Sequence, residues 1–247
     1  MALPIPVAAQ IAVDRMDIVF EPAVAGSRAG VITLTNEGAK AVEAQVRLED
    51  WDRAEDGTNR WYPLGTLPGS CGRLVQVFPA SVLLEPGASQ TVRVTLDSAA
   101  GPVPAGERWC AAVVETVQPR VVRGRAVNYL LRTAVKLYLL PRELPADGEV
   151  AELTLRPHPS AHADSVDLVF ENTGGRHLTA RGSLEFRRGD NVVAARADLP
   201  ALYALPGARS RARVAVPMLP AGRYVVLAIL DYGGAELAAA QIEYEVP

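Results

Sequence analysis

Cysteine and histidine are scarce in this sequence, which limits the chemistry that it can support. Of the 247 residues only two are cysteines, Cys71 and Cys110, and three are histidines. All three histidines lie after residue 150 and both cysteines before it, so a cysteine–histidine pair would have to join the two halves of the chain. No G-x-S-x-G, P-loop or H-E-x-x-H motif occurs either, so we predict neither an enzyme nor a bound cofactor.

Long apolar runs and an excess of one charge are also missing. No run reaches the roughly 18 to 20 uncharged residues of a spanning helix, so insertion into a membrane is not expected. The formal net charge of -3 combines 25 basic with 28 acidic residues, which gives no uniform field to attract nucleic acid or anionic lipid. Met1–Ala9 (MALPIPVAA) lacks the basic and apolar regions of a signal peptide but ends in small residues. It is interpreted as the remainder of a removed leader or as an added start.

Alternation of apolar and polar residues at a period of two runs through most of the chain and predicts an all-β fold. Turn clusters rich in Gly, Pro, Asn and Asp separate the strands at the spacing of a sandwich. An immunoglobulin-like β-sandwich takes about 100 residues, so a chain of 247 residues predicts two such domains in tandem. The predicted strands are Gly30–Asn36, Ala44–Trp51, Gln90–Leu96, Trp109–Val117, Val127–Leu139, Ser165–Glu171, Ala180–Arg187, Ser210–Val216 and Arg223–Leu230.

The second half of the sequence repeats the first. Three segments recur in the same order, which is hard to obtain by chance. The repeat predicts a first domain over 10–141, a linker over 142–148 and a second, shorter domain over 149–247. The paired segments are Val31–Glu49 with Asp167–Phe186, Leu83–Val94 with Tyr203–Val214, and Pro104–Val114 with Pro220–Leu230.

The segment Val127–Leu140 (VNYLLRTAVKLYLL) is unusual for a strand in its length and composition. Its fourteen residues would span about 45 Å at roughly 3.3 Å per residue, whereas most strands have about five or six residues. Large apolar residues fall on both faces, more than one sandwich can bury. At a sheet edge the strand would offer free backbone groups to another chain, including a second copy; the alternative is a central strand that runs into the linker. One face carries Val127, Tyr129, Leu131, Thr133 and Val135.

The two cysteines have two interpretations. Cys71 and Cys110 form either a disulfide, which would tie the loop before Phe78 to the strand after Glu107, or a pair of partly buried thiols. The sequence does not give their separation. A single bridge is favoured.

A histidine-containing segment, RPHPSAHAD, offers His158, His162 and Asp164 as metal ligands. Its two prolines and three small residues favour a plain loop, so no metal is expected. A carbohydrate-binding or metal-binding accessory function would depend on this segment alone. His177 stands apart from it in the sequence.

The first domain resembles the periplasmic pilus-assembly chaperones of the PapD type. The strings that carry the resemblance are FPASVLLEPGASQTVRV (78–94), ERWCAAVVETVQP (107–119) and RTAVKLYLLP (132–141). The last is the most specific, because in this family the strand ends in a lysine inside an apolar run, just before the interdomain proline. The resemblance covers residues 10–141, and the second domain is similar only in architecture.

In that family the chaperone donates the long strand to a pilus subunit that lacks its own last strand. The resemblance therefore implies that Val127, Tyr129 and Leu131 fill a groove of the subunit. It also implies that Lys136 binds the subunit's terminal carboxylate in the cleft between the domains. The implied partners are a pilus or coat subunit and an outer-membrane usher, and the implied location is the periplasm.

The sequence departs from the family at the residue that pairs with this lysine. The family has an arginine on the first strand, where VDRMDIVF (13–20) places Asp17. Arg15 lies two residues earlier and is expected on the same strand face, where it would replace the missing cation. Arg132 is another candidate. An acidic residue beside Lys136 would oppose a bound carboxylate.

A second function keeps the fold and changes the role. In it the tandem domains form a non-catalytic adhesion or scaffold module on the cell surface or in the periplasm. Capture of a β-rich subunit separates the chaperone from the scaffold.

Overall fold

The structure is a computed structural model that describes residues 11–101, 105–122, 125–157 and 164–246. Regular structure in these ranges consists of strands and two short 3-10 turns, Gly72–Leu74 and Ser98–Ala100. No helix among them is long and apolar enough to cross a membrane. The chain folds into two compact units, one formed by residues up to 51 with 61–142 and the other by 52–60 with 143–247.

Ten strands build the two sheets of the first domain. One sheet has the order β1-β3-β8-β6, and the other has the order β2-β10-β9-β4-β5, with β7 also on β4. The strands are β1 Ile11–Val13, β2 Asp17–Phe20, β3 Ala29–Asn36, β4 Val42–Arg53, β5 Asn59–Pro63, β6 Val75–Phe78, β7 Ser81–Leu84, β8 Ser89–Leu96, β9 Arg108–Val122 and β10 Arg125–Leu139.

Alternation along these strands produces the core of the first domain. Ile32 and Leu34 of β3 are fully buried, and so is Val92 of β8, their neighbour across the same sheet. From the other sheet, Val114 of β9 and Leu137 of β10 point into the same cluster. Two sheets packed through such alternating side chains form a β-sandwich.

Eight further strands form the second sandwich. One sheet has the order β11-β12-β16, and the other has β14-β13-β17-β18, with β15 on β13. Two β-sandwiches in an almost entirely β chain confirm the predicted fold class. The strands are β11 Gly148–Arg156, β12 Ser165–Asn172, β13 Leu178–Arg188, β14 Val193–Asp198, β15 Leu202–Ala204, β16 Arg209–Ala215, β17 Gly222–Asp231 and β18 Ala238–Val246.

The repeated segments fold into the same local structure, centred on one buried asparagine in each domain. Asn36 Nδ2 donates hydrogen bonds to the carbonyl four residues ahead at 2.8 Å and to the Leu84 carbonyl at 2.9 Å. Asn172 Nδ2 makes the same two bonds at the same distances, the second of them to the Ala204 carbonyl. Both asparagines are 0% exposed. In each domain the asparagine of the Asn-x-Gly turn therefore links the turn to a third strand through hydrogen bonds of its side chain.

All nine predicted strands are present, with bounds that differ by a few residues. The prediction missed the shorter strands and two longer ones, β11 and β18. Strand β11 begins at Gly148, inside the predicted linker. His158, His162 and Met1–Ala9 lie outside the described residues.

Candidate partner-binding site

Most of strand β10 has a neighbouring strand on one side only. It pairs with β9 along its whole length, from Arg125 to Leu139. The parallel strand β2 covers its other side only over Lys136–Leu139. Among the described residues no strand pairs with that side of Arg125–Val135. The alternative of a central strand therefore holds only for the end of β10 that pairs with β2, and the rest of β10 is an edge.

The free edge presents a defined set of backbone groups. The Lys136 amide donates to the Met16 carbonyl at 2.8 Å, on the side away from β9. Backbone groups alternate in direction along a strand, so every second residue before Lys136 also directs its amide and carbonyl to that side. These residues are Ala126, Asn128, Leu130, Arg132 and Ala134.

The side chains of β10 continue the apolar stripe of the core beyond the sandwich. Val135, Leu137 and Leu139 are buried in the core. The same period of two places Val127, Tyr129 and Leu131 on that face, and Val127 and Tyr129 are 38% and 43% exposed. The three residues predicted to fill a partner's groove thus share one face.

The opposite face of the β9–β10 hairpin also exposes apolar surface. Leu130 lies directly across from Val117, and each is 56% exposed. The hairpin is therefore apolar on both sides, as its composition predicted.

Lys136 lies where β10 passes from the edge into the sheet. Its Nζ lies 4.0 Å from the centroid of the Trp51 indole. Asp17 is its direct partner in the parallel pair with β2. Because Ile18 and Phe20 of β2 are buried in the core, Asp17 lies on the outer face, as Lys136 does. The acidic residue thus stands beside the lysine, as the family resemblance indicated.

Arg15 lies in the bend between β1 and β2, so the prediction that it shares a strand face with Asp17 is wrong. The chain leaves the first sheet after Val13 and has not yet entered the second. Arg15 Nη2 lies 3.1 Å from Asp14 Oδ2. Burial raises the pKa of the Asp14 carboxyl, but the hydrogen bond from the Thr33 amide and the Arg15 guanidinium outweigh it and hold that pKa below its usual range. A role for Arg15 in partner binding stays a prediction.

Arg132, the other candidate cation, is engaged by two carboxylates. Its Nη2 lies 2.5 Å from Glu49 Oε1, and its Nε lies 3.0 Å from Glu115 Oε1. The guanidinium also lies 5.9 Å from the centroid of Trp61. Its charge is therefore balanced within the first domain.

Cys71 and Cys110 are joined by a disulfide, with their Cα atoms 5.4 Å apart. Both are buried in the core of the first domain. The Cys71 amide donates to the Trp109 carbonyl at 3.0 Å. The bridge therefore fastens the segment before β6 to the start of β9.

Within the described residues, no three His, Cys, Asp or Glu side chains lie close enough together to hold a metal ion. His158 and His162, the two histidines among the candidate ligands, lie outside these residues. Asp164 accepts a hydrogen bond from the Tyr244 hydroxyl at 3.0 Å. His177 lies against the ring of Tyr203, with 5.9 Å between the centroids.

Comparison with known proteins identifies the fold. No protein-family model and no curated protein matches the chain. Among solved structures, the class 5 fimbriae chaperone CfaA matches with a TM-score of 0.51 at 14% identity, over 96% of this chain and 99% of that one. The YadV chaperone matches with a TM-score of 0.52 at 14% identity, over 96% and 100%. A chain of a chaperone–tip adhesin complex of CFA/I fimbriae biogenesis matches with a TM-score of 0.53 at 14% identity, over 97% and 100%.

These likenesses extend over both domains. They confirm, at the level of the fold, the resemblance that the first domain indicated. At 14% identity they carry no residue roles.

Proposed function

We propose that the protein is a periplasmic chaperone that captures an unassembled pilus or coat subunit by adding β10 to the subunit's sheet. The observation that carries the proposal is the free edge of β10 over Arg125–Val135, whose core-side face stays apolar beyond the sandwich. An exposed apolar edge of this length is a hazard for a protein without a partner. Strand addition gives this edge a use.

Two kinds of contact would hold the subunit. Backbone groups directed to the free edge would continue the ladder into the subunit's sheet, as in other cases of strand addition. Val127, Tyr129 and Leu131 would enter an apolar groove. Each such side chain contributes about 1.5–3 kcal/mol when fully buried. No nucleotide or metal is needed.

The anchor at Lys136 would be weaker than one made by two cations. A lysine that meets a terminal carboxylate in a partly desolvated place attracts it strongly. Asp17 stands beside this lysine, and Arg15 and Arg132 are already close to carboxylates of their own. We therefore assign most of the capture energy to β10 and a smaller part to Lys136.

The same edge would allow two copies of the chain to pair through β10 when no subunit is present. Once a subunit has been captured, its complex with the chaperone would be delivered to an outer-membrane usher. Both partners belong to the proposal.

Size-exclusion chromatography with mass detection tests the proposal. The chain would be analysed alone and after co-expression with β-rich subunits from its own genomic neighbourhood. We expect a one-to-one complex. Leu131→Glu should weaken capture by several kcal/mol, because it places an unpaired charge in an apolar groove.

Leu83→Glu is the matched control, since Leu83 lies on β7 and is 65% exposed. It should leave the complex intact. A chain that stays monomeric with every candidate subunit would favour the scaffold or adhesion module instead. Equal capture by the wild type and Leu131→Glu would exclude strand donation.

A further inference from the structure

The ammonium group of Lys136 rests on the face of an indole. Its Nζ lies 4.0 Å from the ring centroid of Trp51, which is itself fully buried. Lys136 is half-buried. A cation on the face of a tryptophan is attracted by the ring quadrupole, and the attraction grows as water is removed.

The indole is held in place from several directions. Its Nε1 donates to the Cys110 carbonyl at 3.1 Å, and Tyr138 packs edge-on against the ring at 6.3 Å between centroids. The Trp51 carbonyl accepts from Trp109 Nε1 at 2.9 Å. Cys110 is itself fixed by the disulfide. The ring cannot turn without breaking a buried hydrogen bond.

A lysine is the residue that most needs such support. Its side chain has four rotatable bonds and loses much entropy when it is fixed. The chain contains only two lysines, Lys40 and Lys136, among its 25 basic residues. Of the two, Lys136 is the one that stands over the Trp51 ring.

We infer that Trp51 is a positioning residue that fixes the Lys136 ammonium where a captured chain's terminal carboxylate meets it. The inference rests on the proposed function for the carboxylate, but the positioning itself is a property of the free protein. The ring desolvates one side of the ammonium and keeps the group on the outer face of the sheet. It also supplies a second attraction beside that of Asp17, which lies next to Lys136 on β2.

The presence of only two lysines makes the free protein easy to test. In protein labelled with ¹³C-lysine, two sets of ε-methylene signals are expected. The Lys136 set should be shifted upfield by the ring current of Trp51, while the Lys40 set should lie at the ordinary position. Lys136→Met assigns the shifted set. Trp51→Phe should keep part of the shift, and Trp51→Leu should abolish it.

Binding supplies the second readout. Lys136→Met should weaken capture of a subunit about tenfold, because it removes a charge-assisted hydrogen bond to the terminal carboxylate. Trp51→Phe should cost less, and it should cost nothing further in the Lys136→Met background. If the subunit is extended beyond its natural C-terminus, neither Lys136→Met nor Trp51→Phe should alter its capture. A merely structural Trp51 would weaken capture to the same degree with or without Lys136.

The outcomes separate the inference from the function. If the wild type captures no subunit, the proposed function fails while the lysine spectrum still tests the positioning. An unshifted Lys136 signal, or full additivity of Trp51→Phe and Lys136→Met, would overturn the inference and leave the strand donation standing. The spectrum of the wild type and Lys136→Met decides the positioning even if the Trp51 variants fail to fold.

Discussion

The two domains repeat one plan but end in different last strands. Strand β18 alternates half-buried residues with exposed ones, among them Glu243 and Glu245. Charges on an edge strand oppose pairing with another chain. Strand β10, the last strand of the first domain, instead exposes the apolar residues Val127, Tyr129 and Leu130. The repeat alone therefore does not create a binding site; the length and the side chains of one edge do.

The domains also differ in how their cores are fastened. Cys110 in the first domain corresponds to Val226 in the repeat, and only the first domain has a disulfide. The buried asparagine corner is common to both. The comparison thus separates what the fold requires from what one domain adds.

The largest effect on stability is expected from loss of the disulfide, and it should be confined to the first domain. Replacement of both cysteines by serine should lower the unfolding free energy of the first domain by about 4 kcal/mol, since the bridge spans 39 residues of sequence. The second domain should keep its unfolding midpoint in urea. Hydrogen exchange of amides in each domain measures the two midpoints separately. Equal losses in both domains would break the comparison.

A smaller and equal effect is expected from the shared corner. Asn36→Ala and Asn172→Ala each remove one buried and two partly buried hydrogen bonds, including the donor to a buried carbonyl. Each should lower the stability of its own domain by about 2–4 kcal/mol. Urea midpoints of the two variants check this. Losses that differ several-fold would show that the corners are alike in geometry only.

The smallest effect is expected at Asp17. Asp17→Asn removes a negative charge beside Lys136 and should strengthen capture of a subunit with a free carboxylate by up to about 1 kcal/mol. The gain should shrink as salt increases. Capture is measured by titration at low and high salt, with Glu85→Gln, a change on the same domain away from β10, as control. Weaker capture by Asp17→Asn would mean that Asp17 itself binds the partner.

The sequence allowed the fold to be predicted where alternation runs long enough. Strands β3, β9 and β10 have eight or more residues, which is enough for a period of two to show. Strands of three or four residues, such as β1 and β2, are too short to show a period. Strands β11 and β18 have nine residues each and are absent from the prediction all the same.

The site was only partly predictable for the same reason. The apolar face of β10 follows from its period of two, and the place of Asp17 follows from the alignment of β2. The place of Arg15 does not, because a bend of three residues leaves no pattern. The contact between Trp51 and Lys136 joins different strands that are far apart in sequence, so only the packed sheet reveals it.

Amide hydrogen exchange by NMR tests strand donation most directly. The amides of Leu130, Arg132 and Ala134 point to the free edge, whereas those of Leu131 and Thr133 bond to β9. We predict that the first three exchange rapidly in the free chain and become protected once a subunit is captured, while the other two stay protected throughout. Protection of the first three in the free monomer, or continued rapid exchange in a stable complex, would contradict the account.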